Sequence, residues 1–387
     1  MQAPIPAKPN TNINEENAAK TAPLRVIHVM AGAEDGGAEM AYIDMCLAMH
    51  ERSKKHGPDF GMQVIAACRP NATRNPILKN AGIPVYEFPF GGLFDFRTAS
   101  GLKRLFRDVK PDIVQTWMSR AAQKLPSKPE LAKRPVYLSR LGGYYTIGKY
   151  FKKTDVFIGN TPDLRRHIID SGIAADHVFH LNNFAETEAD TTPVNRQTLN
   201  TPDDAFVFLT LARLHRAKGL DTLLHAAKAL PEHCYLWIAG AGPEEQALKT
   251  LCHTLGLDGR VRFLGWRTDR GALLSACDAV AFPSRYEPFG STFVQAWAAR
   301  RPLVTTASDG PRQYVVDGQD CLCVAIDDPA ALATAMRRVM DDPALCEAIT
   351  ERGYDRYVAE FEKDKIVDAY LNLYRECLSQ PQFALKA

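Results

Sequence analysis

The sequence lacks the features that would tie the chain to a bilayer span, a disulfide framework or nucleic acid. No apolar run approaches the ~18 residues that a spanning helix needs, so the chain reads as soluble or, at most, peripheral to a membrane. Its nine cysteines are scattered. None forms Cys-x-x-Cys, and the nearest pair, Cys321 and Cys323, has no histidine cluster beside it. Reduced, buried thiols in a cytoplasmic protein fit that pattern. Residues 1–23 hold Pro, Asn, Ala and Lys but no apolar h-region, and so read as a disordered tail rather than a signal peptide. Neither sign of charge dominates: 47 Lys and Arg against 45 Asp and Glu leave +2, which argues against a dedicated nucleic-acid partner.

A chain of 387 residues exceeds the usual single-domain size, and 46% hydrophobic residues suffice for two cores. Strand-like runs alternate with helical ones from "LRVIHVM" at 24–30 through "DIVQTWM" and "VFIGNT". Such alternation specifies a parallel sheet covered on both faces. A basic helix is expected at 100–109. The polar stretch 185–203 reads as a linker, after which "FVFLTLARL", "CYLWIAGAG" and "AVAFPS" restart the alternation. The expectation is an α/β chain of two Rossmann-like doubly wound domains, 24–184 and 204–362, facing a central cleft. A helix over 363–387 follows, placed to cross back to the first domain. Charge is uneven: residues 100–170 hold fifteen Lys and Arg against six Asp and Glu. That surplus fits solvated helix faces, anionic lipid headgroups or a phosphorylated acceptor.

Three segments carry candidate chemistry. In "TLARLHRAKGLDTLL", Arg213, Arg216 and Lys218 stand between a strand end and a helix start, where fixed cations and free N–H groups favour a diphosphate. A basic loop of this kind is also common without any ligand. In "IAGAGPEE", Gly240 and Gly242 permit a tight turn, which alone is only turn geometry. In "FPSRYEPFGSTFVQAW", Glu287 precedes Gly290 and the helix that begins near Ser291 and Thr292. Glu287 and Gln295 are eight residues apart, about two helical turns.

In order, Arg-Leu-x-x-x-Lys-Gly, Gly-x-Gly-Pro, Val-x-Phe-Leu-Gly, Pro-Ser-x-x-Glu-Pro-Phe-Gly and Gly-Pro-x-x-x-Val-x-Asp-Gly resemble glycosyltransferase family 4 over residues 205–330. The N-terminal half is similar chiefly through Gly36-Gly37-Ala38-Glu39. The resemblance implies the GT-B architecture and a retaining transferase that moves a hexose from a nucleoside-diphosphate sugar to a carbohydrate or lipid-linked acceptor. Polysaccharide or lipopolysaccharide synthesis at the inner membrane face is the implied setting. It assigns Arg213 and Lys218 to the donor diphosphate and Glu287 to the transferred sugar. Gly242 belongs to the donor loops, and Phe289, Gly290, Ser291 and Thr292 to the loop presenting amides to the phosphates. Gly36 and Gly37 match the glycine loop lining the cleft.

Two positions depart from the family. Gln295 replaces the glutamate that grips the ribose. No histidine follows the fourth strand, where Gln115, Trp117 and Arg120 stand instead. Trp117, Arg120, Gly142 and Gly143 are the remaining candidates for the acceptor side. No Asp-x-Asp, the manganese element of the other large transferase architecture, is present, so no metal or other cofactor is expected. The alternatives are an epimerase or phosphorylase of the same fold, or a non-catalytic carbohydrate-binding homologue.

Overall fold

The computed structural model describes residues 23–32, 36–56, 61–92, 95–127, 134–185, 191–380 and 383. The expected tail therefore lies, except for its last residue, outside the described residues.

The first sheet is built from β1 (Leu24–Met30), β2 (Met62–Cys68), β3 (Val85–Glu87), β4 (Ile113–Trp117), β5 (Val136–Leu141), β6 (Val156–Gly159) and β7 (Val178–His180). Its helices are α1 (Gly37–His56), α2 (Arg74–Asn80), α3 (Phe96–Val109), α4 (Met118–Gln123), α5 (Ile147–Tyr150) and α6 (Pro162–Asp170). The strand order is β3-β2-β1-β4-β5-β6-β7, all parallel. Side chains alternate across the sheet. Val26 and Met30 enter the core under α1, whereas Ile27 and Val29 pack with Leu102 and Phe106 of α3. Both faces are covered, which is why β1 reads as an almost unbroken apolar run.

The second sheet contains β8 (Phe206–Leu211), β9 (Cys234–Ala239), β10 (Val261–Gly265), β11 (Ala279–Phe282), β12 (Leu303–Thr306) and β13 (Leu322–Val324). Helices α7 (Leu220–Lys228), α8 (Glu245–Thr254), α9 (Arg270–Ala276), α10 (Ser291–Ala298), α11 (Pro329–Asp341) and α12 (Pro343–Glu360) accompany it. Its order, β10-β9-β8-β11-β12-β13, repeats the topology of the first sheet. In each sheet the chain reverses its direction of growth beside the first strand, between β1 and β4 and between β8 and β11. Ligands of doubly wound sheets bind beyond the carboxyl ends of the strands at such a point.

Two boundaries differ from the sequence reading. Helix α3 begins at Phe96 because Asp95 caps it, accepting a hydrogen bond from the Thr98 N–H at 3.1 Å. The polar stretch beyond residue 190 is docked rather than free. Arg196 reaches both carboxylate oxygens of Asp278 at 2.9 Å, and Trp237 Nε1 donates to Thr201 Oγ1 at 2.9 Å. These partners lie 36 to 82 residues away, beyond what local composition reports.

The last helix, α13 (Lys363–Ser379), returns to the first sheet. Ile366, Tyr370, Leu373 and Cys377 are buried in the core under α1. Arg52 pairs with Asp364 and Asp368, and Tyr374 donates to Gln115 Oε1 at 2.7 Å. Between the sheets, the Tyr314 hydroxyl donates to the carbonyl of Asn160 at 3.2 Å or Asn182 Oδ1 at 2.8 Å, and the Asp163 N–H donates to Gln313 Oε1 at 2.8 Å.

Candidate active site

The carboxyl edge of the second sheet gathers most of the predicted donor residues. Strand β8 leads into Arg213, and a single 3-10 turn, Arg216–Lys218, carries the chain to α7. Gly219 closes that turn at φ 62°, with its α-carbon against the carbonyl of Pro283 at the end of β11. A side chain there would be strained and would collide with that carbonyl. This close approach brings the Lys218 and Glu287 loops together. Lys218 Nζ forms an ion pair with Glu287 Oε2, and both side chains are largely shielded from solvent. Arg213 is exposed, with no ion pair among the described residues.

The Glu287 loop is held from several sides. Arg285 pairs with both oxygens of Asp221 at 2.7 Å and also reaches Asp327. The N–H groups of Arg285 and Tyr286 donate to the Ala217 carbonyl, and the Gly310 N–H donates to that of Glu287 at 2.6 Å. Gly290, at φ 95°, turns the chain into α10, and Thr292 Oγ1 ties the first turn to the Leu211 carbonyl at 3.0 Å. The free N–H groups of this helix start, beside Arg213 and Lys218, make a site suited to a dianion.

Not every predicted residue presents its side chain here. Phe289 is buried against Phe293, Tyr314 and Phe361, so it can offer only its backbone. Ser291 is half-buried, whereas Thr292 and Gln295 are buried on α10. Gly242 lies against the Leu214 backbone, where the Leu214 N–H donates to the Ala241 carbonyl at 2.9 Å. It shapes the base of the Arg213 loop.

On the first sheet the expected acceptor side is partly corrected. Trp117 does not line the cleft: it is 1% exposed, packs edge-on against Tyr42 and donates from Nε1 to His28 Nδ1 at 3.2 Å. A ring of this size at the end of a central strand stabilises most by filling the core. His28 is fully buried, and burial lowers its pKa to about 3, so its ring stays neutral. Arg120 is exposed. Gly36 and Gly37 stand at the start of α1, with open space over Gly37, and Gly142-Gly143 follow β5.

Electrostatic neighbours show how the two edges face each other. Tyr144 is raised in pKa by burial and by Asp163, Asp309 and Tyr286, and Tyr145 by burial, Glu39 and Tyr286, opposed by Arg140. Tyr286, in turn, is raised by burial, Asp309 and Glu287. The loop after β5 therefore lies opposite the Glu287 loop.

Sequence reasoning missed Arg285, whose role as a clamp depends on partners 42 and 64 residues distant. A groove of about 640 Å³ between Tyr86, Phe88, Phe96 and Arg104 runs along α3 and does not include these groups.

A family model described as glycosyl transferases group 1 matches residues 191–356. Over 91% of its length the chain is 33% identical to LpsD, a lipopolysaccharide core biosynthesis glycosyltransferase of Rhizobium meliloti, covering 98% of that protein. It is 34% identical to LpsE of the same organism over 90% of this chain and 98% of the relative. Among solved structures it is similar to HepE of Anabaena in complex with UDP and glucose, with a TM-score of 0.78 at 20% identity, covering 91% of this chain and all of the other. Similarity to WaaG, a glycosyltransferase involved in lipopolysaccharide biosynthesis, has a TM-score of 0.68 at 15% identity, over 90% and 99% of the two chains.

Proposed function

Because the chain belongs to the group 1 glycosyltransferases and has their two-domain GT-B fold, we propose that it is a retaining hexosyltransferase of family 4 that builds the lipopolysaccharide core. The observation that carries this reading is the Lys218–Glu287 pair at the β8/β11 switch point, with Arg213 open beside it. The names of LpsD and LpsE favour a core oligosaccharide acceptor, and the HepE complex favours a uridine diphosphate donor.

In this reading the donor diphosphate lies over the start of α10 and draws Lys218 from Glu287. Arg213 and Lys218 then offset the charge of the departing diphosphate, so no metal or other cofactor is needed. Glu287, freed from its ion pair, accepts from a sugar hydroxyl and supports the oxocarbenium-like centre. The acceptor hydroxyl attacks from the face the diphosphate leaves, with its proton passing to the donor phosphate. The anomeric configuration is retained without a protein nucleophile.

Gln295 stands where a charged ribose ligand is expected, and its amide can both donate and accept. No described helix is long and apolar enough to cross a membrane. Exposed Phe96, together with Arg97 and Arg104 on α3, suits peripheral contact with an anionic inner-membrane face, from the cytoplasmic side. Purified protein incubated with UDP-, GDP- or ADP-hexose and core oligosaccharide tests the proposal. Transfer with retained configuration in the presence of EDTA supports it, and donor turnover with no acceptor product contradicts it.

A further inference from the structure

One loop of the second domain is tied at one end to the donor site and at the other to the first domain. It follows β12 and contains the 3-10 turn Pro311–Gln313. Just before that turn, the Gly310 N–H donates to the Glu287 carbonyl at 2.6 Å. Gly310 also lies flush against the Phe289 backbone, where a Cβ would collide with the Phe289 carbonyl. The turn is therefore fixed to the Glu287 loop by a direct backbone contact.

Its other end meets the start of α6. The first N–H groups of a helix have no partner within the helix. Thr161 Oγ1 accepts from the Leu164 N–H at 3.1 Å, within the first domain, whereas the Asp163 N–H is taken up from the second, by Gln313 Oε1 at 2.8 Å. Gln313 Nε2 donates to the Asp309 carbonyl at 2.6 Å, so one side chain bridges the two domains. Arg312 spans the same gap, 3.2 Å from Asp309 and 3.7 Å from Asp163, but its ion pairs are open to water and correspondingly weak. One turn further along α6, His167 donates from Nε2 to the Tyr145 carbonyl at 2.9 Å, and its ring packs edge-on against Tyr144 at 5.3 Å. These two tyrosines belong to the loop after β5 that lies opposite Tyr286 and Glu287.

We propose that Gln313 is a positioning residue for transfer: through Asp163, α6 and His167 it sets the Tyr144-Tyr145 loop against the Glu287 loop, and so places the acceptor relative to the donor sugar. The directional hydrogen bond from Asp163 to Gln313 forms at one relative orientation of the two domains, which the exposed Arg312 pairs do not specify. Arg213, Lys218 and the start of α10 all belong to the second domain, so donor binding does not need the bridge. Loss of Gln313 should therefore separate transfer from donor binding. The role in transfer rests on the transferase reading of the cleft; the link between the domains does not.

The test is Q313M in the full chain, a substitution that keeps the length of a half-buried side chain and removes both of its hydrogen bonds. In residue-resolved hydrogen exchange, the Asp163 amide should exchange at least ~10-fold faster in the variant, while the Leu164 amide, capped by Thr161, keeps its wild-type rate. With UDP-hexose and core oligosaccharide, the kcat for transfer should fall roughly 10- to 100-fold, the cost of a small misplacement of reacting groups. The donor KM, the affinity for UDP and the acceptor-free hydrolysis of UDP-hexose should stay within about twofold of wild type. An unchanged Asp163 amide or an unchanged transfer kcat overturns the proposal. So does hydrolysis that falls in step with transfer, which would confine Gln313 to the donor loop. A wild type that transfers no sugar would strike the transferase reading and this role with it, while a faster Asp163 amide in Q313M would still establish the link between the domains.

Discussion

The two sheets share one strand order and present carboxyl edges of opposite character. On the second sheet, charges stand at or near the surface: Arg213 is exposed, and Lys218 and Glu287 neutralise each other. On the first sheet, the polar groups are sunk beneath the edge, with His28, Arg140 and Asn160 buried and each holding at least one unpartnered atom. A fold repeated within one chain thus places its polar side chains differently at its two edges. One edge keeps an ion pair near the surface; the other keeps its polar groups inside the core.

The largest effect that would break this contrast is expected at Glu287. Glu287→Ala should cut the transfer rate by at least ~100-fold, in line with the loss of a group that stabilises developing charge, while far-ultraviolet circular dichroism stays that of the wild type. Full activity in the variant would remove the second sheet from the chemistry. Gly290→Val comes next. At φ 95° a β-branched residue is strained, and the new Cβ would meet Phe282 and Glu287, so a loss of about 2 kcal/mol in stability is expected by urea denaturation. A change within error would mean that the loop is not fixed as described.

The first sheet is probed by pH. His28 is held neutral in the folded chain with a pKa near 3, against 6.5 for an ordinary histidine. The unfolded chain therefore takes up a proton between these values that the folded chain refuses. The contribution of His28 to stability is complete above pH 6.5 and is lost as pH falls towards 3, with a slope of at most about 1.4 kcal/mol per pH unit. His28→Gln should flatten the fall in melting temperature between pH 6.5 and 4, and an unchanged profile would show that other groups set it. The smallest effect is expected for Gln295→Glu, a change of severalfold in the KM for the donor. A large gain in kcat instead would suggest a transferase that has lost efficiency through this residue.

How much could be read from the residues alone follows the same division. The meeting of Lys218 and Glu287 on the second sheet was legible because their loops are short and follow strand ends: Lys218 before Gly219, and Glu287 before Gly290. The doubly wound alternation and the face of α13 were legible because periodicity reports burial. Trp117 was misplaced on the cleft because a tryptophan at a strand end has the same local pattern whether it faces a ligand or a core. The burial of Arg140 was invisible because its contacts, the Trp117 ring and Asn183, come from distant segments that only tertiary packing brings together. Arg285 was missed for the same reason, as its two carboxylates come from distant segments.

The central claim is that a nucleoside diphosphate competes with Glu287 for Lys218 at the edge of the second sheet. Calorimetric titration of UDP into wild type and into the Arg213→Ala/Lys218→Ala double variant tests it most directly. The account predicts binding to the wild type and a loss of affinity of at least ~100-fold in the double variant, as expected when two charge-assisted contacts of about 1.5 kcal/mol or more are removed. Equal affinity in the two proteins would contradict it.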